Sequence, residues 1–346
     1  MTDVLRILVV DDSAIYRSLV QGCLREIPDV ECVGSAPDGR RAIEMARELL
    51  PDVVLLDIEM PVLDGVEALP ELIEALPEAG IIMVSSLTTK GADVTMQAFQ
   101  LGAWDFVTKP QVKAGEDGFA ALREPLERTI GAYRESLEAP SRPEPPRPVL
   151  PPVKLPEVDI VVIGISTGGP SALAELVPKL PGDLAVPVVA VQHMPPHFTA
   201  SLADSLDRKS HLVVREASAR QVPLAGEFLI APGGKHLVFE SGPEPYLDFS
   251  DAAPVNSFKP SVDVLFDSVA RAYSGHVLCV VMTGMGSDGL AGAAAVRAAG
   301  GYCLAQDQTS CAVYGMPRAV IEGGHADEIV SLGTLASRIE EIVAAR

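Results

Sequence analysis

Gly164-Ile165-Ser166-Thr167-Gly168 puts a hydroxyl on a tight turn between an apolar run, "DIVVIGI", and a helical pattern, "GPSALAELV". Two chemistries fit such a turn. Backbone N–H groups at a helix start can cradle a phosphate, or Ser166 can be a nucleophile in the G-x-S-x-G manner. A dinucleotide-binding turn needs G-x-G-x-x-G and an acidic residue closing the next strand. Here the spacing differs, and the next apolar run, "PVVAVQH", closes on Gln192-His193. The G-K-[ST] of a Walker loop is also absent. A serine nucleophile needs an adjacent base, and His193 ends the very next strand, where it can face the same crevice. An imidazole with a pKa near ~6.5 accepts a serine proton at neutral pH. The orienting carboxylate expected beside it is Asp288, in the glycine-rich "MGSDG" after the apolar run "HVLCVVMTG". The order Ser, His, Asp along the chain differs from the three common triad orders.

Rival residues fit less well. His197 follows His193 at helical metal-pair spacing, but Pro195-Pro196 prevents a regular helix there. His236, in "APGGKHLVF", either lines the cleft or is structural, and His211, His276 and His325 have no supporting context. Asp263 lies inside a helical pattern and Asp307 follows "YCLAQ", so both rank below Asp288.

A second set of reactive groups lies near the N-terminus. Asp11-Asp12, Asp57, Ser85-Ser86 and Lys109-Pro110 each close an apolar run. In a parallel α/β sheet the carboxyl ends of the strands form the site. Three carboxylates in one pocket repel one another, and bound Mg²⁺ relieves this because a hard cation takes oxygen ligands. Lys109 can then pair with a carboxylate or with an incoming phosphoryl group. The bland alternative is that Asp12 or Ser13 only caps the first helix.

The elements that position these groups alternate in type. "RILVV", "ECVGSA", "DVVLLDI", "IIMVSS" and "DFVTKP" read as strands, separated by helical patterns such as "SAIYRSLVQGCLREI". Such alternation implies a parallel sheet covered on both faces. "APSRPEPPRPVLPPVKLPE" is proline-dense and reads as a semi-rigid extended linker. A second alternation begins at Asp159, with strands at "DIVVIGIS", "PVVAVQH", "FLIAP", "HVLCVVMTG" and "YCLAQD". The chain has 346 residues, a net charge of −20 and five cysteines without a C-x-x-C pair. Such a surface repels nucleic acid and anionic lipid. Scattered cysteines fit reduced thiols in the cytoplasm. No apolar run reaches the roughly 20 residues that span a bilayer, and no signal-peptide pattern opens the chain.

The N-terminal segment, through "VVDDS", Asp57 in "LLDIEMPVLDG", Ser85 and "DFVTKP", resembles the receiver domain of bacterial response regulators. The resemblance implies a flavodoxin-like fold in which Asp57 accepts a phosphoryl group from a histidine kinase. Asp12, Asp57 and the Glu59 carbonyl, with Asp11 in support, would hold Mg²⁺. Ser85 and Phe106, with Lys109, would report phosphorylation. The second domain resembles the catalytic domain of the chemotaxis protein-glutamate methylesterases of CheB type. The residues carrying this are "GISTGGP", "QHMPPHFTASLADSLD", "LIAPGGKHL", "SFKPSVDVLF", "VMTGMGSDGL" and "AQDQTSCAVYGMPRAV". Gln308 departs from the acidic residue expected there. The resemblance implies that Ser166 attacks the methyl ester of a chemoreceptor glutamate, or a glutamine amide, with His193 as base and Asp288 orienting it. Backbone N–H groups of Thr167 and Met285 would meet the oxyanion, and the ester chemistry would use no cofactor. An unphosphorylated receiver would block the entrance near Ser166.

The expected architecture is therefore α/β throughout. Residues 1–130 form a receiver with a five-stranded parallel sheet, 131–157 a proline-rich linker, and 158–346 a doubly wound, mainly parallel methylesterase domain. Two alternatives predict different features. A phosphorylation-controlled DNA-binding regulator predicts a basic helix-turn-helix after the linker, where an acidic α/β pattern stands instead. A nucleotide-binding output domain predicts stabilisation by nucleotide.

Overall fold

The computed structural model describes residues 4–110, 118–138 and 156–345. The chain divides into two compact units, Met1–Arg134 and Glu135–Arg346. In the first, β1 (Leu5–Val10), β2 (Val30–Ala36), β3 (Val53–Asp57), β4 (Gly80–Ser86) and β5 (Asp105–Lys109) form one sheet in the order β2-β1-β3-β4-β5. Every pairing is parallel. Successive side chains of a strand point to opposite faces. Leu8, Val54 and Leu56 accordingly build one core, and Ile7, Val9 and Leu55 another on the far face. The covering helices are α1 (Ala14–Glu26), α2 (Gly39–Leu49), α3 (Gly65–Ala75), α4 (Thr89–Gln100) and α5 (Gly118–Glu138). Ser13, Asp38, Asp64 and Thr88 cap the first four, each side chain accepting an N–H of the first turn.

α5 corrects one expected boundary: it runs to Glu138, so residues 131–138, assigned to the linker, are helical. Packing explains the extension. Tyr133 lies edge-on to Trp104, with ring centroids 5.1 Å apart. Its hydroxyl accepts from the Gly80 N–H at 2.9 Å and donates to the Glu78 carbonyl at 3.1 Å. Most of the proline-rich stretch, 139–155, lies outside the described residues.

The second unit holds a seven-stranded parallel sheet and a small antiparallel hairpin. The sheet strands are β6 (Ile160–Ile165), β7 (Val188–Gln192), β8 (Val213–Glu216), β9 (Glu227–Ile230), β12 (Val277–Val281), β13 (Tyr302–Gln306) and β14 (Glu328–Val330); the hairpin is β10 (His236–Glu240) and β11 (Tyr246–Ser250). The sheet order is β14-β13-β12-β6-β7-β9-β8. Its helices are α6 (Gly169–Leu176), α7 (Phe198–Asp207), α8 (Val262–Tyr273), α9 (Leu290–Ala298), α10 (Gly315–Glu322) and α11 (Leu332–Ala344). β6, β7 and β12 are buried along their whole length, as near-continuous apolar strands between two helical layers must be. From β6 the chain steps to β7 on one side, while β12 lies on the other. The sheet order therefore reverses at β6, and a crevice opens at its carboxyl end.

Candidate active site

Strand register brings the reactive residues together. Ile165 is paired with Gln192, so Ser166 and His193 are the next positions on adjacent strands. Val281 is paired with Gly164, which delivers the loop carrying Asp288 to the same edge. The serine turn is latched onto that loop. The Ser166 N–H donates to the Thr283 carbonyl at 3.0 Å, and the Thr283 hydroxyl donates to the Thr167 carbonyl at 3.0 Å. Gly168 takes φ +77°, and a Cβ there would lie 2.4 Å from the Ala312 Cβ, so only glycine fits the turn. As N-cap of α6, Gly168 provides no side-chain cap. Neither the Thr167 nor the Met285 N–H finds an acceptor among the described residues. Both remain open to an oxyanion.

His193 is held from three sides. Its side chain is 4% exposed, and Nε2 lies 2.8 Å from Asp288 Oδ2. The ring stacks on Phe258 with centroids 3.8 Å apart and planes 7° apart. Nδ1 is buried without a hydrogen-bond partner among the described residues, which leaves it as the nitrogen able to take a proton. Ser166 Oγ makes no hydrogen bond to it in this arrangement; such contacts commonly tighten only when substrate binds. The ring thus faces Asp288 through Nε2, whereas in the familiar triad the carboxylate takes Nδ1–H.

Asp288 accepts five hydrogen bonds. Besides His193, the Val262 N–H reaches Oδ2 at 2.7 Å. Ser261 Oγ, Asn256 Nδ2 and the Asp263 N–H reach Oδ1 at 2.9, 3.1 and 3.1 Å. Burial alone would raise its pKa, but the contact with His193 and the N–H groups at the start of α8 outweigh burial and hold it at about 2. Asp288 is thus an ionised cap on α8 as well as the partner of His193. Asp263 does the reciprocal job for α9, accepting the Gly289 and Gly292 N–H groups at 2.9 and 2.7 Å. Burial, with the charge of Asp288, pushes the Asp263 pKa upward.

None of the other histidines hydrogen-bonds His193 or Asp288 among the described residues. His236 is fully buried, accepts the Ser261 N–H at Nδ1 and faces the Ala253 carbonyl through Nε2. It clamps both ends of the loop that carries Asn256 and Phe258. His197 is the exposed N-cap of α7, and His276 pairs with Asp159. Asp307 caps the short 3₁₀ turn Gln308–Ser310, which is where Gln308 falls. Sequence reasoning missed Phe258, Asn256 and Ser261. Their only signal was their place in or beside "SFKPSVDVLF", since nothing in their type or spacing announces a contact across the fold.

In the first unit, carboxylate oxygens of Asp11, Asp12 and Asp57 lie within 4.8 Å of one another. Lys109 Nζ sits 2.7 Å from both Asp11 and Asp57. Burial pushes the Asp57 pKa up to about 6 against the pull of Lys109. The Lys109 ammonium also lies 4.6 Å from the centre of the Tyr16 ring, a contact the sequence did not suggest. Three convergent carboxylates suit a hard divalent cation. The Glu59 side chain points elsewhere, pairing with Lys90 at 2.8 Å, so only its carbonyl remains as a candidate ligand. Ser85 is buried, donates to the Gly91 carbonyl at 3.2 Å and accepts from Thr95 Oγ1 at 3.0 Å, which turns it toward α4. Phe106 is half-buried and meets Phe99 edge-on at 5.9 Å.

A five-stranded receiver with an acid pocket, joined to a parallel α/β unit with serine, histidine and aspartate at its switch point, defines a response regulator with an enzymatic output. The CheB methylesterase family matches residues 161–339, and the response regulator receiver domain matches residues 7–116. The chain is 41% identical to the protein-glutamate methylesterase/protein-glutamine glutaminase of Desulfotalea psychrophila, over 98% of each chain. It is 40% identical to a Pseudomonas aeruginosa protein of the same description, over 98% of this chain and 97% of that one. The crystal structure of the Thermotoga maritima CheB methylesterase catalytic domain aligns at 40% identity with a TM-score of 0.53, covering 54% of this chain and 99% of that one. The chain belongs to the CheB methylesterase family and carries that family's receiver domain.

Proposed function

We propose that this protein hydrolyses γ-methyl esters of chemoreceptor glutamates, and amides of receptor glutamines, under control of phosphorylation at Asp57. The observation that carries the catalytic part is His193, one position past the strand register that brings it beside Ser166, anchored through Nε2 to an ionised Asp288, with Nδ1 buried and unpartnered among the described residues. Ser166 Oγ attacks the ester carbonyl as His193 Nδ1 takes its proton. The electron pair moves to the carbonyl oxygen, which the Thr167 and Met285 N–H groups receive. One such donor is typically worth ~3–4 kcal/mol in the transition state. Collapse expels methoxide, which leaves as methanol with the proton from His193. Water, deprotonated by the same Nδ1, then releases the glutamate and restores Ser166. With a glutamine substrate the leaving group is ammonia.

In the receiver, Asp57 is the phosphoryl acceptor from a histidine kinase. Asp11, Asp12, Asp57 and the Glu59 carbonyl would hold Mg²⁺, which neutralises charge on a transferring phosphoryl group. Lys109, already bridging Asp11 and Asp57, is placed to follow the negative charge onto the phosphoryl oxygens. Ser85 and Phe106 relay the change toward α4 and β5. The enzyme works in the cytoplasm; among the described residues no helix is long and apolar enough to cross a membrane. The test is methanol release from methylated receptor, with and without acetyl phosphate and Mg²⁺. Release that rises with the phosphodonor supports the reading, and no release under either condition refutes it.

A further inference from the structure

Gln192 lies under the serine turn and has no part in the proton transfers above. Its side chain is buried, and Nε2 donates to the Ser166 carbonyl at 2.9 Å and to the His193 carbonyl at 3.3 Å. The Gly169 N–H reaches the same Ser166 oxygen at 2.8 Å. Oε1, by contrast, is buried with no partner among the described residues. A Cβ on Gly169 would fall 1.8 Å from that oxygen, so the first residue of α6 leaves the space the carboxamide fills. Among the described residues the carboxamide is engaged through its NH₂ alone, and a buried amide donor held by two carbonyls fixes the backbone that carries them.

We infer that Gln192 is a positioning residue that aims the Thr167 N–H at the developing oxyanion. The reason is the geometry of one peptide. The Ser166 carbonyl and the Thr167 N–H belong to the same trans peptide unit and point in opposite directions. Fixing the carbonyl oxygen against Gln192 and Gly169 on the core side fixes the N–H toward the crevice. The second bond, to the His193 carbonyl, ties the backbone of the base to the same carboxamide. One side chain thus keeps nucleophile turn, oxyanion donor and base in register. A preorganised donor acts mainly in the transition state, so its loss lowers kcat more than it raises KM. The inference rests on Ser166 as nucleophile.

The test uses the full chain activated with acetyl phosphate and Mg²⁺, with methylated receptor as substrate. A peptidyl trifluoromethyl ketone in place of the glutamyl ester serves as the tetrahedral mimic. Gln192→Met keeps the volume and removes the donor. It should lower kcat by roughly 10- to 100-fold, with KM changed by less than about twofold. Affinity for the ketone should fall by the same factor as kcat. A folded Gln192→Met with wild-type kcat, or with reduced kcat and unchanged ketone affinity, overturns the inference. Gly169→Ala tests the contact from the other side should Gln192→Met fail to fold. It should impair kcat alone but add little in a Gln192→Ala background, whereas additive losses overturn the inference. Ser166→Ala, run alongside, separates the two levels. Persisting turnover there removes the nucleophile reading and the inference with it. An inactive Ser166→Ala beside an unimpaired Gln192→Met removes the inference alone.

Discussion

Replacing Asp288 by asparagine leaves shape almost unchanged and alters only which groups donate. The carboxylate now receives His193 Nε2 and the Val262 N–H on Oδ2, and Asn256, Ser261 and the Asp263 N–H on Oδ1. An asparagine NH₂ in either position faces a backbone N–H that cannot reverse its role. Placed toward His193, it also forces Nε2 to accept, which moves the ring proton to Nδ1 and abolishes the base. An aspartate held at about 2 rather than 3.8 contributes roughly 2–3 kcal/mol to stability at neutral pH. That contribution is present above about pH 4 and is lost as the pH falls through about 2, because the folded pKa is the lower one. With the unpaired donors added, Asp288→Asn should cost about 2–4 kcal/mol at pH 7. Methanol release should fall by roughly ten-thousand-fold, as expected when a triad base is held in the wrong tautomer. Urea denaturation and methanol release on the same samples measure both. A folded variant within tenfold of wild-type turnover would refute the idea that Asp288 sets the proton position on His193.

Asp57→Asn should abolish stimulation by acetyl phosphate and spare the low basal esterase rate, measured as methanol release. Because the Asp57 pKa is raised to about 6, its stabilising protonated form is present below about pH 4 and lost as pH rises through about 6. The variant's receiver should therefore melt later than wild type by about 1–3 kcal/mol at pH 8, with a smaller gap at pH 5, read by urea denaturation at the two pH values. Phe258→Ala, which removes the ring stacked on His193, should lower kcat by roughly tenfold and leave receiver phosphorylation unaffected, as followed by phosphate transfer from acetyl phosphate. A fragment beginning near Val158, a unit with its own core, should turn over faster than the unphosphorylated full chain and ignore the phosphodonor. A folded fragment that is no faster would mean phosphorylation stimulates the catalytic unit positively.

What the sequence revealed followed physical range. Strands such as "DVVLLDI" and "DIVVIGIS" are long, apolar and bounded by turn residues, so their alternation with helices was readable, and with it the strand-end placement of Asp57, Ser166 and His193. β8 and β14 have four and three residues, too short for a period to register. The β10–β11 hairpin was unread for another reason: "HLVFE" and "YLDFS", five residues each, are only partly apolar and partly exposed, unlike the fully buried sheet strands of the same length. The linker boundary at residue 131 falls inside α5 because Tyr133 is held by Gly80 and Glu78, contacts distant in sequence. The same applies within the site. Ser166, His193 and Asp288 were legible because their types carry chemistry at strand ends. Phe258, Asn256 and Gln192 were not, since a phenyl ring, an amide and another amide acquire their roles only through the neighbours that folding supplies. The direction of the His193 ring was equally beyond sequence, because either nitrogen could have met a carboxylate.

The central claim is that Ser166 is the nucleophile of a methylesterase, and one comparison tests it most directly. Wild type and Ser166→Ala are incubated with methylated receptor, acetyl phosphate and Mg²⁺, and methanol is measured while phosphorylation of Asp57 is followed in the same tubes. Continuous methanol release by wild type is predicted, with a loss of at least roughly a thousand-fold in the variant and phosphorylation unchanged. Turnover by a folded Ser166→Ala within tenfold of wild type would contradict the account.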